Sequence, residues 1–237
     1  MKNSNDKGLT KLTAKIFAPM YAAFDKQLSG ALLRRDAFLD RMICVETPNL
    51  RADLDGLKLS PAGYKHISSS LKKLGGKKAP PLRQVSISVR FETAEALRAV
   101  VEETNIVRDA FLNRLIALLR SSDNFLKALD LPTRVRPIPG FGTEDMPTSP
   151  LKVIEETQWD PFYYLRTACL ARHRCGLYAL PFPPEYAAFS CYLSDDEVPE
   201  TPAFSERIKR DKEEEKLLLG LDAFESNLTS ISTKKGH

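Results

Sequence analysis

Several features that would point to common functional classes are missing from this 237-residue sequence. No apolar run reaches the roughly 18 residues of a membrane-spanning helix, and the first residues, MKNSNDKGLTKL, have no apolar stretch of the secretory kind. Four cysteines (Cys44, Cys169, Cys175, Cys191) are too few and too scattered for a disulfide framework, so a reducing cytoplasm is expected. The sequence has three histidines, no glycine-rich phosphate loop, no G-x-S-x-G and no H-E-x-x-H, and it is not read as an enzyme. Cys169, His173 and Cys175 are spaced C-x3-H-x-C, unlike paired zinc knuckles. They read as buried thiols near a surface histidine, and neither metal nor cofactor is expected.

The net charge of +4 conceals an asymmetry. Residues 1–130 carry 22 Lys and Arg against 14 Asp and Glu, whereas residues 131–237 carry 13 against 17. A basic half suits a polyanionic partner, because each neutralised phosphate releases a counterion.

An internal repeat organises that half. Arg35–Ile43 reads RDAFLDRMI and Arg108–Ile116 reads RDAFLNRLI, identical at seven of nine positions and offset by 73 residues (108 − 35). Both have helical apolar periodicity. At the same offset upstream, Phe24 and Leu28 match Leu97 and Val101 in another helical stretch, expected to start near Pro19 in the first copy and at a Thr93 cap in the second. Before each first helix the sequence alternates. Val85–Phe91 does so strictly, whereas Leu12–Phe17 is less regular. Downstream, with a two-residue shift, Asn49-Leu50 echoes Asn124-Phe125, suggesting one more short helix in each unit. Between the units Ser60 opens a helix expected over Pro61–Leu74, followed by the basic stretch GGKKAPP.

A lone short strand leaves its backbone groups unpaired. The two strands can pair antiparallel over the four helices, with Leu12, Ala14, Ile16, Val85, Ile87, Val89 and Phe91 inward. Lys11, Thr13, Lys15 and Phe17 then face outward beside Gln84, Ser86, Ser88 and Arg90. A two-stranded ribbon fits the DNA major groove, and such side chains suit base edges. The start of each second helix supplies free N–H groups for phosphate, at Arg34, Arg35, Val107 and Arg108.

The order strand, helix, helix, and the segment VSISVRFETAEALRAVVEETNIVRDAFLNRLIALL in particular, resembles the ribbon–helix–helix family of the Arc and methionine repressors. The resemblance covers about residues 10–47 and 83–120. It implies a mainly α fold: a tandem ribbon–helix–helix pseudo-dimer with a mostly helical or irregular C-terminal region. It also implies sequence-specific binding of double-stranded DNA, as by a transcriptional repressor of a bacterium or mobile element, in the cytoplasm at the nucleoid. Asn105 stands where the family often has Gly in the turn, and Val107 where Ser or Thr caps. The first copy departs further, with Leu32 at the turn, Arg34 at the cap and Phe17 at the last base-facing position. The alternative is a protein-interaction module of antitoxin, partition or relaxosome type, whose C-terminal region binds a protein partner or a second copy.

The expected organisation is a first unit over 10–56, a helical linker 57–82, a second unit 83–131, a proline-rich linker 132–150, a C-terminal interaction region 151–224 and a disordered tail 225–237. Within the C-terminal region, Trp159, Phe162, Tyr163 and Tyr164 read as packing aromatics, with a ligand pocket or partner surface as the alternative. Helices are expected over Leu151–Ala171, broken near Pro161, and over Phe204–Phe224. Residues 178–189 read as an extended segment.

Overall fold

A computed structural model describes residues 8–74, 82–134, 149, 159–199 and 201–233. The GGKKAPP stretch from 75 on, most of the proline-rich linker and the first part of the helix expected from Leu151 lie outside the described residues. The described chain is mostly helical, with one two-stranded antiparallel sheet. Strand β1 (Leu9–Phe17) is followed by α1 (Ala18–Gly30), α2 (Arg35–Asp53) and α3 (Pro61–Lys73); strand β2 (Leu82–Arg90) is followed by α4 (Phe91–Thr104), α5 (Arg108–Arg120) and α6 (Asp123–Ala128). Helix α7 (Tyr163–His173), a 3-10 turn (Pro184–Phe189) and helix α8 (Pro202–Thr233) complete the order. Chain contacts divide the protein into Met1–Tyr192 and Leu193–His237, whereas the sequence reading grouped 151–192 with the residues that follow.

β1 and β2 pair in one register from Leu9 opposite Arg90 to Phe17 opposite Leu82. The central pair is Thr13 with Ser86, and these two are equivalents at the repeat offset (86 − 13 = 73). The ribbon thus has a pseudo-two-fold centre at Thr13–Ser86. Leu12, Ala14, Ile16, Val85, Ile87 and Val89 are buried on its inner face, as alternation demands. Both strands start earlier than the alternation suggests, because Leu9 and Thr10 pair with Arg90 and Val89, and Leu82 and Arg83 with Phe17 and Ile16. Phe91 is not an inner strand residue. The ladder ends at Arg90, and Phe91 is the first residue of α4, so Thr93 is buried within the first turn rather than capping it.

The turn between the helices of each hairpin falls at equivalent positions, Leu32 with φ 58° and Asn105 with φ 56°. Asn tolerates this left-handed conformation and Leu does not. The short third helix appears in one copy only. In the second, Ser121 takes φ 42° and ends α5 before α6 begins. Its equivalent in the first copy is Pro48, whose ring holds φ near −65°. The chain cannot make the left-handed stop there, and α2 runs on to Asp53. Helix α3 matches expectation: Ser60 Oγ accepts the Gly63 N–H at 3.1 Å, with Pro61 in the first turn.

Residues 162–191 join the common core of the two repeat copies through Phe162, Cys169, Leu177, Tyr178, Leu180, Phe182, Phe189 and Cys191. The anchor is Arg114, 0% exposed, from within the second copy of the repeat. Its guanidinium donates to the carbonyls of Leu177, Leu180 (3.0 Å) and Phe189 (3.5 Å) and lies 3.8 Å from the Phe182 ring centre. Nearby, Glu46, also 0% exposed, accepts from Arg166 (3.0 Å) and from the Tyr178 hydroxyl (2.8 Å). Asp53 accepts the Tyr178 N–H at 2.8 Å. Burial pushes Glu46 above the ordinary carboxylate range, although Arg166 and Tyr178 oppose the shift.

The aromatic cluster does not pack as a unit. Phe162, the residue before α7, is buried, as is Cys169 within the helix, but Trp159 (69% exposed), Tyr163 and Tyr164 face solvent. Segment 178–189 is not extended but coils through Leu180 into the 3-10 turn. Within Leu193–His237, the Phe204 N–H donates to Thr201 Oγ1 (3.2 Å) in the first turn of α8. That helix continues to Thr233, through most of the tail expected to be disordered.

Candidate nucleic-acid interface

Residues opposite one another in an antiparallel pair share a face. The outer face is therefore a row of five pairs: Leu9/Arg90, Lys11/Ser88, Thr13/Ser86, Lys15/Gln84 and Phe17/Leu82. The three central pairs are all polar. Lys11, Thr13, Lys15, Gln84 and Ser86 are exposed, and Ser88 is half-buried. Both lysines come from β1, while β2 supplies uncharged donors and acceptors, so the row has a basic strand and a neutral one. Phe17, half-buried, closes one end with Leu82. At the other end Arg90 is turned aside: its Nε donates to Asp40 Oδ2 at 2.7 Å while its N–H donates to Asp40 Oδ1 at 2.9 Å. The Asp40 hydrogen bond raises the Arg90 pKa further.

Each strand's free backbone edge is held by the second helix of the other unit, through three interactions that repeat about the pseudo-two-fold. Asp109 accepts the Lys15 N–H (3.2 Å), as Asp36 accepts that of Ser88 (3.0 Å). Arg108 donates to the Thr13 carbonyl (2.7 Å), as Arg35 does to that of Ser86 (3.5 Å). Asn113 accepts the Phe17 N–H (2.8 Å), as Asp40 accepts that of Arg90. Asn113 further donates to the carbonyls of Lys15 (2.9 Å) and Asp109 (2.7 Å). Burial pushes Asp36 up, but the Ser88 N–H and Arg35 outweigh it and the net shift is downward. The ribbon is thus fixed from below while its outer side chains remain available.

The four positions read as phosphate-binding fall into two groups. Arg35 and Arg108 are engaged with the opposite strand and with their neighbours Asp36 and Asp109, which lie in the first turns of α2 and α5. Arg34 and Val107 are the caps. Arg34 is exposed and Val107 is buried, and neither helix has a side-chain cap hydrogen bond.

The clamp residues Asp36, Asp40, Asp109 and Asn113 were missed as part of the site. Their signal was in the repeat: a hairpin that only packs needs its apolar positions repeated, yet the Arg-Asp dipeptide was repeated too. Among the described residues no group of three His, Cys, Asp or Glu side chains is arranged to hold a metal. The Cys169 thiol donates to the Cys175 carbonyl and His173 meets the Leu129 carbonyl. No helix among the described residues is long and apolar enough to cross a membrane. No protein-family model, curated protein or solved structure matches the chain.

Proposed function

We propose that this chain is a tandem ribbon–helix–helix pseudo-dimer that binds double-stranded DNA sequence-specifically, as a transcriptional regulator, with the ribbon in the major groove. The observation that carries the reading is the row of three polar pairs centred on Thr13–Ser86, clamped from beneath by both second helices. Major-groove edges present donors and acceptors that Lys, Gln, Ser and Thr complement. Lys11, Thr13, Lys15, Gln84, Ser86 and Ser88 are the reading residues, with Arg34 and the α2 and α5 N-termini toward phosphate. Phe17 and Arg90 mark the ends of the row, Arg90 being committed to Asp40.

Since both lysines lie on one strand, the two half-sites differ and the operator is asymmetric. Selection from random duplex DNA, followed by binding in a salt series, tests this. Affinity falls steeply with salt because bound phosphates release counterions. Replacing Thr13, Lys15 and Ser86 together by Ala weakens binding and relaxes specificity, each good base contact contributing about 1–3 kcal/mol. A triple variant that shifts the selected duplex as well as wild type does refutes the ribbon reading. A protein-interaction module is the second reading, drawing on the exposed Trp159, Tyr163 and Tyr164.

A further inference from the structure

Beside the ribbon, between α3, α4 and the start of α5, lies a cleft of about 510 Å³. Its size falls within the about 300–1,000 Å³ of small-molecule sites. Leu12, Leu71, Leu82, Leu97 and Val101 give it an apolar lining. Its charged groups are unequally satisfied. Arg98 is paired with Glu95 (2.5 Å) and Glu102 (3.9 Å), and Arg108 with Asp109 (3.3 Å). The side-chain ammonium groups of Lys15 and Lys72 form no ion pair among the described residues, although the Lys15 backbone N–H is held by Asp109. The cleft therefore combines an apolar body with surplus positive charge. Helix α3, which supplies Leu71 and Lys72, belongs to the segment between the repeats, so this wall is not part of the repeated unit.

We propose that the cleft binds a small amphipathic anion, its apolar body on the leucine lining and its carboxylate at the lysine-bearing rim. An apolar chain in the cleft removes hydrocarbon from water on both partners, and the carboxylate meets ammonium groups that form no ion pair among the described residues. Two cleft residues, Arg108 and Asp109, also hold β1 at Thr13 and Lys15. Occupancy consequently bears on the strand that carries both ribbon lysines. This coupling rests on the DNA-binding reading; the binding itself does not.

Decanoate is the probe, titrated calorimetrically into the full chain without DNA, with decylamine as the control of opposite charge. The expected result is one saturable decanoate site per chain, absent in Val101→Trp, which fills the cleft, and at least tenfold weaker in Lys72→Glu. Lys72 is exposed, so that variant folds even if Val101→Trp does not, and circular dichroism checks both. No decanoate binding up to about 1 mM, an affinity unchanged by Lys72→Glu, or equal binding of decylamine overturns the proposal. The selected duplex, bound with and without saturating decanoate, then reads the coupling through a change in affinity. Loss of duplex binding without decanoate counts against the DNA reading and leaves the calorimetric result standing.

Discussion

The single polar difference within the nine-residue repeat, Asp40 against Asn113, should make two conservative exchanges differ sharply in cost. Asn113 is 0% exposed and acts in both senses, accepting the Phe17 N–H and donating to the carbonyls of Lys15 and Asp109. In Asn113→Asp the acceptor survives, but two donated hydrogen bonds are lost, each contributing about 1 kcal/mol. The new carboxylate also faces two carbonyl oxygens with no cation against it, and an uncompensated buried charge costs about 3–5 kcal/mol. Because the charge is relieved by protonation, the net loss at neutral pH is set at about 3–5 kcal/mol rather than the full sum. In Asp40→Asn the acceptor for the Arg90 N–H also survives. What is lost is an ion pair whose Arg90 side chain is 50% exposed and screened by water, about 1 kcal/mol at most. At this size 1 kcal/mol moves Tm by about 2–4 °C. Asn113→Asp should therefore melt about 6–20 °C below wild type and Asp40→Asn within about 4 °C, read by thermal and urea unfolding at pH 7. The buried carboxyl of the first variant has a raised pKa, so its deficit should shrink as pH falls toward 4 and the group becomes neutral. Equal losses for the two exchanges, or a deficit that grows in acid, would refute the clamp as described.

Leu32 is 92% exposed with φ 58°, so Leu32→Asn gives up no packing and relieves a left-handed strain of about 1–2 kcal/mol; a gain of about 1 kcal/mol in urea unfolding is expected, and a loss contradicts the turn geometry. A Cβ on Gly176 would stand 2.2 Å from Asp53 Cγ and displace the carboxylate that holds the Tyr178 N–H; Gly176→Ala should cost about 1–3 kcal/mol by overpacking, with unchanged stability as the contrary result. Glu46 is raised above its ordinary value of 4.5 by burial. Its folded state binds the proton more tightly than the unfolded state does, so its contribution to stability is complete below pH 4.5 and is lost as pH rises through the raised value. Glu46→Gln should flatten the stability–pH profile above pH 4.5, and a profile parallel to that of wild type would show that Glu46 does not titrate differently on folding.

Some features of this molecule are properties of short stretches, and the sequence alone determines them. Alternation over residues 11–17 and 84–90 assigns Lys11, Thr13, Lys15, Gln84, Ser86 and Ser88 to one face of a strand, because the pleat repeats every two residues. The 73-residue repeat assigns two equivalent hairpins, and Ser60-Pro61 marks where α3 begins. The local echo downstream misleads, however, because the left-handed stop that Ser121 makes is closed to its equivalent Pro48, and α2 runs on.

Tertiary structure alone decides which groups meet across 50 to 96 residues of sequence. No local pattern tells that Arg108, Asp109 and Asn113 hold Thr13, Lys15 and Phe17, or that Arg35, Asp36 and Asp40 hold the other strand. Periodicity places these six on a helical face but not against a particular strand edge, whose unpaired N–H and carbonyl groups exist only once the ribbon has formed. The same holds for Arg114, which looks like one more surface arginine until the carbonyls of Leu177, Leu180 and Phe189 converge on it. It holds equally for Trp159, Tyr163 and Tyr164, left exposed while neighbouring Phe162 and Cys169 are buried. Burial and partnership of a polar or aromatic side chain depend on what the rest of the chain brings to it, and that is settled only when the units pack.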